Sequence, residues 1–346
     1  MRTRLTLLLL LLLSACGPAA APSDPLLLYV EADEAGGSRI VTAGEPVAPF
    51  PLQVSEQCAV YRIHPSPATA WVAIEFDCTD APLVVFVWVD FHGRSSGSWR
   101  RSNSRFLAWA ADGQAAYLKA DPFGNPQIVL ENPAAEHWDA TALPPSLYDL
   151  AVLPDGQVIY STTLGLGYGS QTWTADADGG QPRQVMDWPD HIVAYLSPSP
   201  NGIPIAFIVF PDSETPFPNG ALFVLEDGRE YITDADAGHG YAPAWSPDGT
   251  RLAFVHRDNP DDPQADLSAG ALRSNIYLVE FPSQSVSPLT SFPDAIVETP
   301  AWSPDGSRLV FNVVRNGTIQ IWQAAAGDLQ PLTAPGACCA AWVPGR

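Results

Sequence analysis

The stretch AWSPDGTRLAF at residues 244–254 recurs almost unchanged as AWSPDGSRLVF at residues 301–311. In both copies an alanine and a tryptophan end one apolar strand, and a leucine and a phenylalanine belong to the next. The Ser-Pro-Asp-Gly between them suits a type I turn, because proline presets φ, aspartate bonds its own backbone and glycine accepts a positive φ. The repeated unit is therefore predicted to be a β-hairpin.

Weaker copies of this hairpin occur earlier in the chain. They are YRIHPSPATAWVAIEF (61–76), AWAADGQAAYL (108–118), AVLPDGQVIYS (151–161) and YLSPSPNGIPIAFIV (195–209). A second hairpin follows the two strong copies, as NIYLVEFPSQSVSPLT (275–290) and TIQIWQAAAGDLQPLT (318–333). Two hairpins in every period of about 40–50 residues are typical of the four-stranded blade of an all-β β-propeller.

The number of blades follows from the hairpin copies and the two ends of the sequence. Three β-like runs, LLLYVEA, GGSRIVTAGE and PFPLQVSE, precede the first copy, and a lone strand at 340–343 follows the last. A blade made of N- and C-terminal strands together is the usual device that closes a propeller ring. The six hairpin copies and this shared blade favour seven blades, with six blades and an N-terminal appendage as the alternative.

The W-S-P-D-G hairpin, followed by the I-Y-L-V and P-L-T strands, resembles the TolB-like, WD40-like β-propeller repeat of bacterial envelope proteins. This resemblance covers most of the chain after the N-terminal region. It implies a propeller that presents one face to a protein, peptide or glycan of the cell envelope without catalysing a reaction. The sequence departs from TolB in lacking a separate α/β domain ahead of its propeller, so the resemblance determines the fold far better than the function.

Residues 1–15 have the regions of a signal peptide. Arg2 and Arg4 precede an unbroken leucine run at 7–13, and small residues lead to Cys16. The apolar run is too short to span a bilayer as a mature helix. The pattern resembles a bacterial lipoprotein signal, which implies lipidation of Cys16 and attachment to a membrane, whereas the alternative is an ordinary secretory signal. Residues 16–25 are then a lipidated cysteine and tether, and residues 26–346 a single extracytoplasmic propeller domain, at the cell surface or in the periplasm.

Charge and composition exclude several classes of function. The chain of 346 residues carries a net charge of −21 and has one lysine, Lys119. Nucleic-acid binding is excluded because neutralising phosphates requires many lysines and arginines. Binding to an anionic bilayer by charge is disfavoured for the same reason. The 35 prolines and 26 glycines argue against a mainly helical fold and agree with many turns.

Four cysteines remain once Cys16 is assigned to lipid. An antiparallel register of constant sum places Cys58 opposite Cys78 in the first hairpin copy, and the same register pairs Arg62 with Ile74. Since directly opposed Cβ atoms lie near bridging distance, we predict a disulfide between Cys58 and Cys78. Cys338 and Cys339 are adjacent, so they either form a vicinal ring or remain reduced; their state is left open, and no zinc-ligand spacing occurs.

The longest insertion in the repeat, RDNPDDPQADLSAGALRSN at 257–275, is acidic. Its carboxylates are Asp258, Asp261, Asp262 and Asp266, and carboxylates close together are able to bind calcium. Their spacing does not match the twelve-residue calcium loop, and the closing bidentate glutamate is absent. A solvated acidic loop is the favoured interpretation, and no cofactor is predicted.

Loops between blades and between second and third strands lie on one face, where propellers usually bind ligands, and they supply a candidate ligand rim. Its residues are Trp188, Asp190, His191, His239 and Tyr241. The letters G-x-S-x-G occur once, as GRSSG at 93–97, in a basic segment interpreted as a blade-edge strand and not as a strand-to-helix nucleophile elbow, and no H-E-x-x-H occurs, so a non-enzymatic binding protein is favoured. A glycan-active hydrolase that uses carboxylates on the rim or the axis is the alternative function.

Overall fold

The structure is a computed structural model and describes fifteen stretches of the chain. They are residues 25–32, 38–43, 58–66, 69–80, 82–89, 95–102, 104–110, 113–120, 126–131, 138–142, 144, 146–176, 179–226, 229–233 and 241–343. Within these stretches the fold is all-β, with a single short helix, α1 (Pro263–Leu267), and a 3₁₀ turn at Ala269–Ala271. Among the described residues, no helix has the length and apolar character needed to cross a bilayer.

The strands form seven antiparallel sheets. Sheet 1 contains β1 (Leu26–Ala32), β2 (Ser38–Thr42) and β27 (Ala337–Val343). Sheet 2 contains β3 (Cys58–Pro65), β4 (Trp71–Cys78), β5 (Leu83–Val89) and β6 (Ser95–Ser102); sheet 3 contains β7 (Ser104–Trp109), β8 (Ala115–Ala120), β9 (Pro126–Glu131) and β10 (Trp138–Ala142). Sheet 4 contains β11 (Leu147–Val152), β12 (Val158–Thr162), β13 (Ser170–Ala175) and β14 (Arg183–Trp188).

The remaining three sheets repeat the same up-and-down order. Sheet 5 contains β15 (His191–Pro198), β16 (Ile205–Pro211), β17 (Ala221–Glu226) and β18 (Arg229–Thr233). Sheet 6 contains β19 (Ala244–Trp245), β20 (Arg251–Arg257), β21 (Ser274–Glu280) and β22 (Ser285–Pro288); sheet 7 contains β23 (Ile296–Trp302), β24 (Arg308–Arg315), β25 (Thr318–Ala325) and β26 (Asp328–Pro331). Each sheet from 2 to 7 holds one copy of the repeat.

Sheet 1 joins the two ends of the described chain. Strand β1 lies between β2 and β27 and pairs antiparallel with both. The first two N-terminal runs thus form strands beside the last strand of the chain. The third predicted run, PFPLQVSE, lies outside the described residues.

A buried apolar cluster joins each sheet to the next. Residues that represent these contacts, from sheet 1 to sheet 7 and back to sheet 1, are Leu28 with Ile74, Phe86 with Tyr117, Ala116 with Tyr160, Ile159 with Phe207, Ile208 with Phe254, Val255 with Phe311, and Val310 with Trp342. Neighbouring residues of one strand serve opposite faces, because side chains alternate along a strand. The core is therefore divided into seven layers between sheets.

The repeated turn is held by its own polar side chains. The Asp248 carboxylate accepts hydrogen bonds from the Ser246 hydroxyl at 2.6 Å and the Thr250 amide at 3.0 Å, while Ser246 Oγ accepts one from the Arg251 amide. Gly249 has φ +70°, which a residue with a Cβ rarely adopts. The Ser-Pro-Asp-Gly sequence thus specifies the predicted turn.

The repeated tryptophan and arginine connect neighbouring sheets. The Trp245 indole N–H donates to the Ser197 carbonyl of sheet 5 at 2.9 Å, and the Trp302 indole N–H donates to the Ala244 carbonyl of sheet 6 at 3.0 Å. The Arg251 guanidinium lies over the Trp302 ring at 4.3 Å from its centroid. Since Arg308 lies over Trp342 in the same way, the two strong copies of the motif share one mode of contact between sheets.

The two turn aspartates predict a stability change at acid pH. Hydrogen bonds from Ser246 and Thr250 lower the pKa of Asp248 to about 2, and bonds from Ser303 and Ser307 lower the pKa of Asp305 to about 2. A carboxylate whose folded pKa is lowered stabilises the fold above its unfolded pKa of about 3.9, and this contribution is lost as the pH falls through the folded value.

At pH 5 the native protein is expected to have a higher free energy of unfolding than the double variant Asp248→Asn, Asp305→Asn. This difference should shrink as the pH falls from 5 to 2. Urea denaturation at constant salt measures it. The effect is expected to be modest because both carboxylates are exposed. A difference that stays constant over this pH interval would contradict the assignment.

Sheet 2 contains the cysteine pair singled out in the sequence. Cys58 and Cys78 are opposed in the β3–β4 register, and a disulfide joins them. Cys338 and Cys339 are also joined to each other, on β27. The first disulfide thus links two neighbouring strands, and the second links adjacent residues of one strand.

One part of the predicted register is wrong. Arg62 lies opposite Glu75 rather than Ile74, because β3 contains a β-bulge at Tyr61 that adds one residue to the strand. A bulge bends the strand and re-aims the side chains beside it. The position of this bulge determines the site described next.

Candidate functional site

The predicted rim divides into two separate places in the structure. Trp188 ends β14 and packs its ring edge-to-face on Phe223, with centroids 5.0 Å apart, while the His191 ring lies 6.2 Å away. The backbone carbonyl of Asp190 accepts a hydrogen bond from the Asp212 amide. These contacts stabilise the turn between sheets 4 and 5. They indicate that the partly buried Trp188 has a packing role there.

Tyr241 lies elsewhere, in the wall of a cavity among the innermost strands. Its hydroxyl donates a hydrogen bond of 2.6 Å to Oε2 of Glu298, and the Asn312 amide donates to Oε1 of the same carboxylate at 3.3 Å. Burial raises the pKa of Glu298, and the two donors oppose this shift. Burial and the neighbouring Glu298 charge raise the pKa of Tyr241. His239, the fifth predicted rim residue, lies outside the described residues.

The cavity lies where the first strands of the sheets approach one another. First strands of neighbouring sheets contact each other, as β11 does with β15 and β23 with β27. The cavity has a volume of about 390 Å³ and is bounded by β3, β23 and β27 together with Tyr241. We call it the axial cavity. Its size falls within the range of small-ligand pockets.

Arg62 and Tyr61 form the β3 wall of the axial cavity. The Arg62 guanidinium carbon lies 5.0 Å from the centre of the Tyr61 ring, and the Arg105 guanidinium carbon lies 5.5 Å from it. Arg105 is neutralised by Glu75 and Asp77, at 3.3 and 3.0 Å. The Arg62 guanidinium forms no hydrogen bond or ion pair with any residue that the structure describes.

The charge of Arg62 also acts to lower the pKa values of two further groups, Asp149 and Tyr195. Asp149 accepts hydrogen bonds from the amides of Leu150 at 2.8 Å and Leu196 at 2.9 Å, and burial raises the pKa of its carboxyl although Arg62 acts to lower it. Burial raises the pKa of Tyr195 to about 12, again against the effect of Arg62. Arg62 is therefore electrostatically coupled to sheets 4 and 5 as well as to Glu298 in sheet 7.

Backbone bulges shape the inner wall of the molecule. Register shifts interrupt β11 at Tyr148, β15 at Tyr195 and β23 at Thr299, in addition to β3 at Tyr61. Tyr195 and Thr299 have positive φ values of 59° and 52°. These four bulges turn Tyr61, Tyr148, Tyr195 and Thr299 away from the ladder, so polar and aromatic residues lie on the inner wall beside aliphatic ones such as Ile63 and Ile319.

The acidic insertion does not gather its carboxylates around one point. Asp266 forms an ion pair of 2.6 Å with Arg257, and Asp262 caps helix α1 by accepting from the Gln264 amide. Asp258 contacts His256 and Asn275. Asp261 is exposed in the turn before the helix. Within the described stretches, no group of three or more possible metal ligands occurs, so this geometry does not favour the calcium hypothesis.

Comparison with known proteins identifies the family. The TolB β-propeller domain matches residues 157–341, which is more than half of the chain. The chain belongs to the TolB β-propeller family. The matched segment includes both strong copies of the hairpin and the residues Tyr241 and Glu298 of the axial cavity, whereas Arg62 precedes it.

Solved structures with TM-scores above 0.5 support the fold of this TolB-family propeller. The β-propeller domain of the trilobed protease from Pyrococcus furiosus aligns with 81% of this chain and 84% of its own, at 11% identity and a TM-score of 0.54. Acylaminoacyl peptidase from Pyrococcus horikoshii aligns over 78% of this chain and 45% of its own, at 13% identity and a TM-score of 0.55. TolB from Acinetobacter baumannii aligns over 94% and 68%, at 16% identity and a TM-score of 0.47. At these identities the likeness concerns architecture alone.

Proposed function

We propose that this TolB-family propeller is a non-enzymatic binding protein of the cell envelope that receives a protein, peptide or glycan at its axial cavity. The observation that carries the proposal is the axial cavity itself, where Arg62 of sheet 2, Glu298 of sheet 7 and Tyr241 of the segment before sheet 6 converge. Concave sites with a few convergent polar groups are the usual ligand sites of proteins. The net charge of −21 argues against nucleic acid as the ligand.

The hydrogen bonds of the two axial carboxylates favour binding over catalysis. Both oxygens of Glu298 are engaged, by Tyr241 and Asn312, and both oxygens of Asp149 accept backbone amides. A general acid or base needs a free route to a reacting atom. In this arrangement the carboxylates instead fix the positions of Tyr241 and of the bulge in β15.

Membrane attachment through Cys16 belongs to the same proposal. Its support is the sequence pattern of residues 1–16 alone, since these residues lie outside the described stretches. Lipidation at Cys16 would place the propeller next to a membrane on the extracytoplasmic side. Two or more acyl chains suffice for stable attachment.

Photo-crosslinking in intact cells tests the binding role. In one variant, a photoreactive phenylalanine replaces Tyr148, which is 49% exposed at the start of β11. In the control, it replaces the exposed Thr250 of a hairpin turn, at the other end of the innermost strands. We expect crosslinked species from the Tyr148 position and none from the Thr250 position. Equal crosslinking at both positions, or none at Tyr148, would contradict a binding site on this face.

A glycan-active hydrolase is the second candidate function. The observation that favours it is the pair of buried carboxyls, Asp149 and Glu298, whose pKa values burial raises. Hydrolysis of chromogenic glycosides that is lost in Glu298→Gln would establish this candidate and displace the first. Absence of hydrolysis together with crosslinking at position 148 would favour the binding protein.

A further inference from the structure

Arg62 is a positive charge without a counterion in the part of the chain that the structure describes. The neighbouring carboxylates are already bonded, Glu298 to Tyr241 and Asn312, and Asp149 to the backbone, and neither lies within ion-pair distance of the guanidinium. The guanidinium carries five N–H donors in a planar fork that matches a carboxylate. The axial cavity thus offers unused donors beside an open volume of about 390 Å³.

The surroundings of Arg62 favour a flat, monovalent anion. The Arg62 guanidinium carbon lies over the Tyr61 ring, 5.0 Å from its centroid, where the face of the ring attracts the cation. Glu298 and Asp149 are close enough for the charge of Arg62 to act on their pKa values, so a dianion such as phosphate would meet more repulsion from them than a carboxylate.

A rim loop beside the axis offers contacts to an apolar chain. The loop between β12 and β13 exposes Leu164 (78%), Leu166 (55%) and Tyr168 (69%). It is held in place by the Asp212 carboxylate, which accepts the amides of Gly167 and Gly169 at 2.8 Å each. Exposed leucines suit peptide side chains rather than the hydroxyls of a glycan.

Tyr148 lies near two aspartates, Asp212 at the rim loop and Asp149 on the innermost strand β11. The charges of Asp149 and of Asp212 both add to the rise in the pKa of Tyr148 that burial begins, so this ring lies near both carboxylates. Asp149 in turn is coupled to Arg62. Tyr148 thus adjoins Asp149 in the chain and lies near Asp212, which holds the loop through the amides of Gly167 and Gly169.

We propose that the axial cavity binds the free C-terminal carboxylate of a peptide chain, with Arg62 as the carboxylate-binding residue and the Leu164–Tyr168 loop as the contact for the preceding apolar side chains. This inference rests on the proposed binding function and adds the chemistry of the ligand. An amidated chain end lacks the negative charge that a bidentate arginine contact requires.

The test uses the purified mature protein and fluorescein-labelled pentapeptides, each Gly-Gly followed by three randomised residues, prepared as C-terminal acids and as amides. Fluorescence anisotropy should show at least tenfold tighter binding of the acid pool. In Arg62→Gln the ratio should fall below twofold, and Arg62→Lys should give an intermediate ratio because lysine keeps the charge but not the fork. Arg183→Gln, an exposed arginine on the outer strand β14, is the control and should keep the native ratio.

Thermal unfolding of each variant checks that the fold is retained. A second measurement needs no variant: the reaction of Arg62 with phenylglyoxal, mapped by mass spectrometry, should be slowed by the acid pool and not by the amide pool. Equal binding of acids and amides, or an acid preference that survives Arg62→Gln, would overturn this inference and leave the binding function standing. Arg62-dependent binding of a galacturonate trimer without binding of any peptide pool would also overturn it. Failure of crosslinking at position 148 is the separate result that would remove the proposed function.

Discussion

Replacing Arg257 with methionine is expected to lower the free energy of unfolding by about 3–5 kcal/mol. This arginine is 1% exposed, the largest of the fully buried side chains in the described part of the protein. It donates to Asp266 at 2.6 Å and to the backbone carbonyl of Phe217 at 3.1 Å, with longer bonds to the carbonyls of Asn259 and Asp262. Removing the guanidinium leaves these acceptors without their donor, and methionine restores only the packing.

The same substitution should loosen the rim. Arg257 connects the 258–273 insertion of sheet 6 to the loop that contains Phe217 in sheet 5, and the Phe217 amide also donates to the Asp266 carbonyl. Urea denaturation measures the loss of stability, and hydrogen exchange at the Phe217 amide measures the local effect. Arg273→Met is the matched control, because within the described residues the Arg273 guanidinium bonds only to the carbonyls of Gly270 and Leu272 in the same insertion, and it should cost below about 1 kcal/mol. Equal losses in the two variants would show that the buried network has no special role.

The fold was largely predictable because its signals are local. The turn residues 246–249 bond within their own hairpin, and the repeated Trp245 and Trp302 perform the same task in adjacent sheets. Such features depend on a few neighbouring residues and therefore appear directly in the sequence. The cysteine pair followed from the register on the first side of the bulge, where the constant sum still holds.

The axial site was only partly predictable because it depends on backbone irregularities and on residues far apart in the chain. Tyr241 was singled out, but its partner Glu298 is 57 residues away. The bulge at Tyr61 changed the partner of Arg62 from the expected Ile74 to Glu75, since adding one residue shifts the register. A usable signal was present: counting back five residues from the start of each hairpin turn reaches Tyr61, Arg105, Tyr148, Ala194, Tyr241 and Glu298. A polar residue at this position in five of the six copies indicates a shared position near the axis.

Removing residues 337–346 is expected to abolish cooperative folding. This deletion takes away β27, the strand that pairs with β1 and packs against both sheet 2 and sheet 7. Trp342 is buried in the cluster shared with Val310 and Ile321 of sheet 7, and Val343 is buried in the cluster shared with Ile74 of sheet 2. Exposing both clusters at once costs several kcal/mol for each, comparable to the whole stability of an ordinary domain.

A chain that ends at Val343 is the matched control, because residues 344–346 follow the end of β27. It should unfold at the same temperature as the native protein, whereas the chain that ends at Gly336 should show a broad transition without a heat-absorption peak and should bind a dye for exposed apolar surface. The difference between the two depends on seven residues of one strand. An unchanged melting temperature for the shorter chain would mean that six sheets are stable without the seventh, and that the strands at the two ends of the described chain add little to the fold.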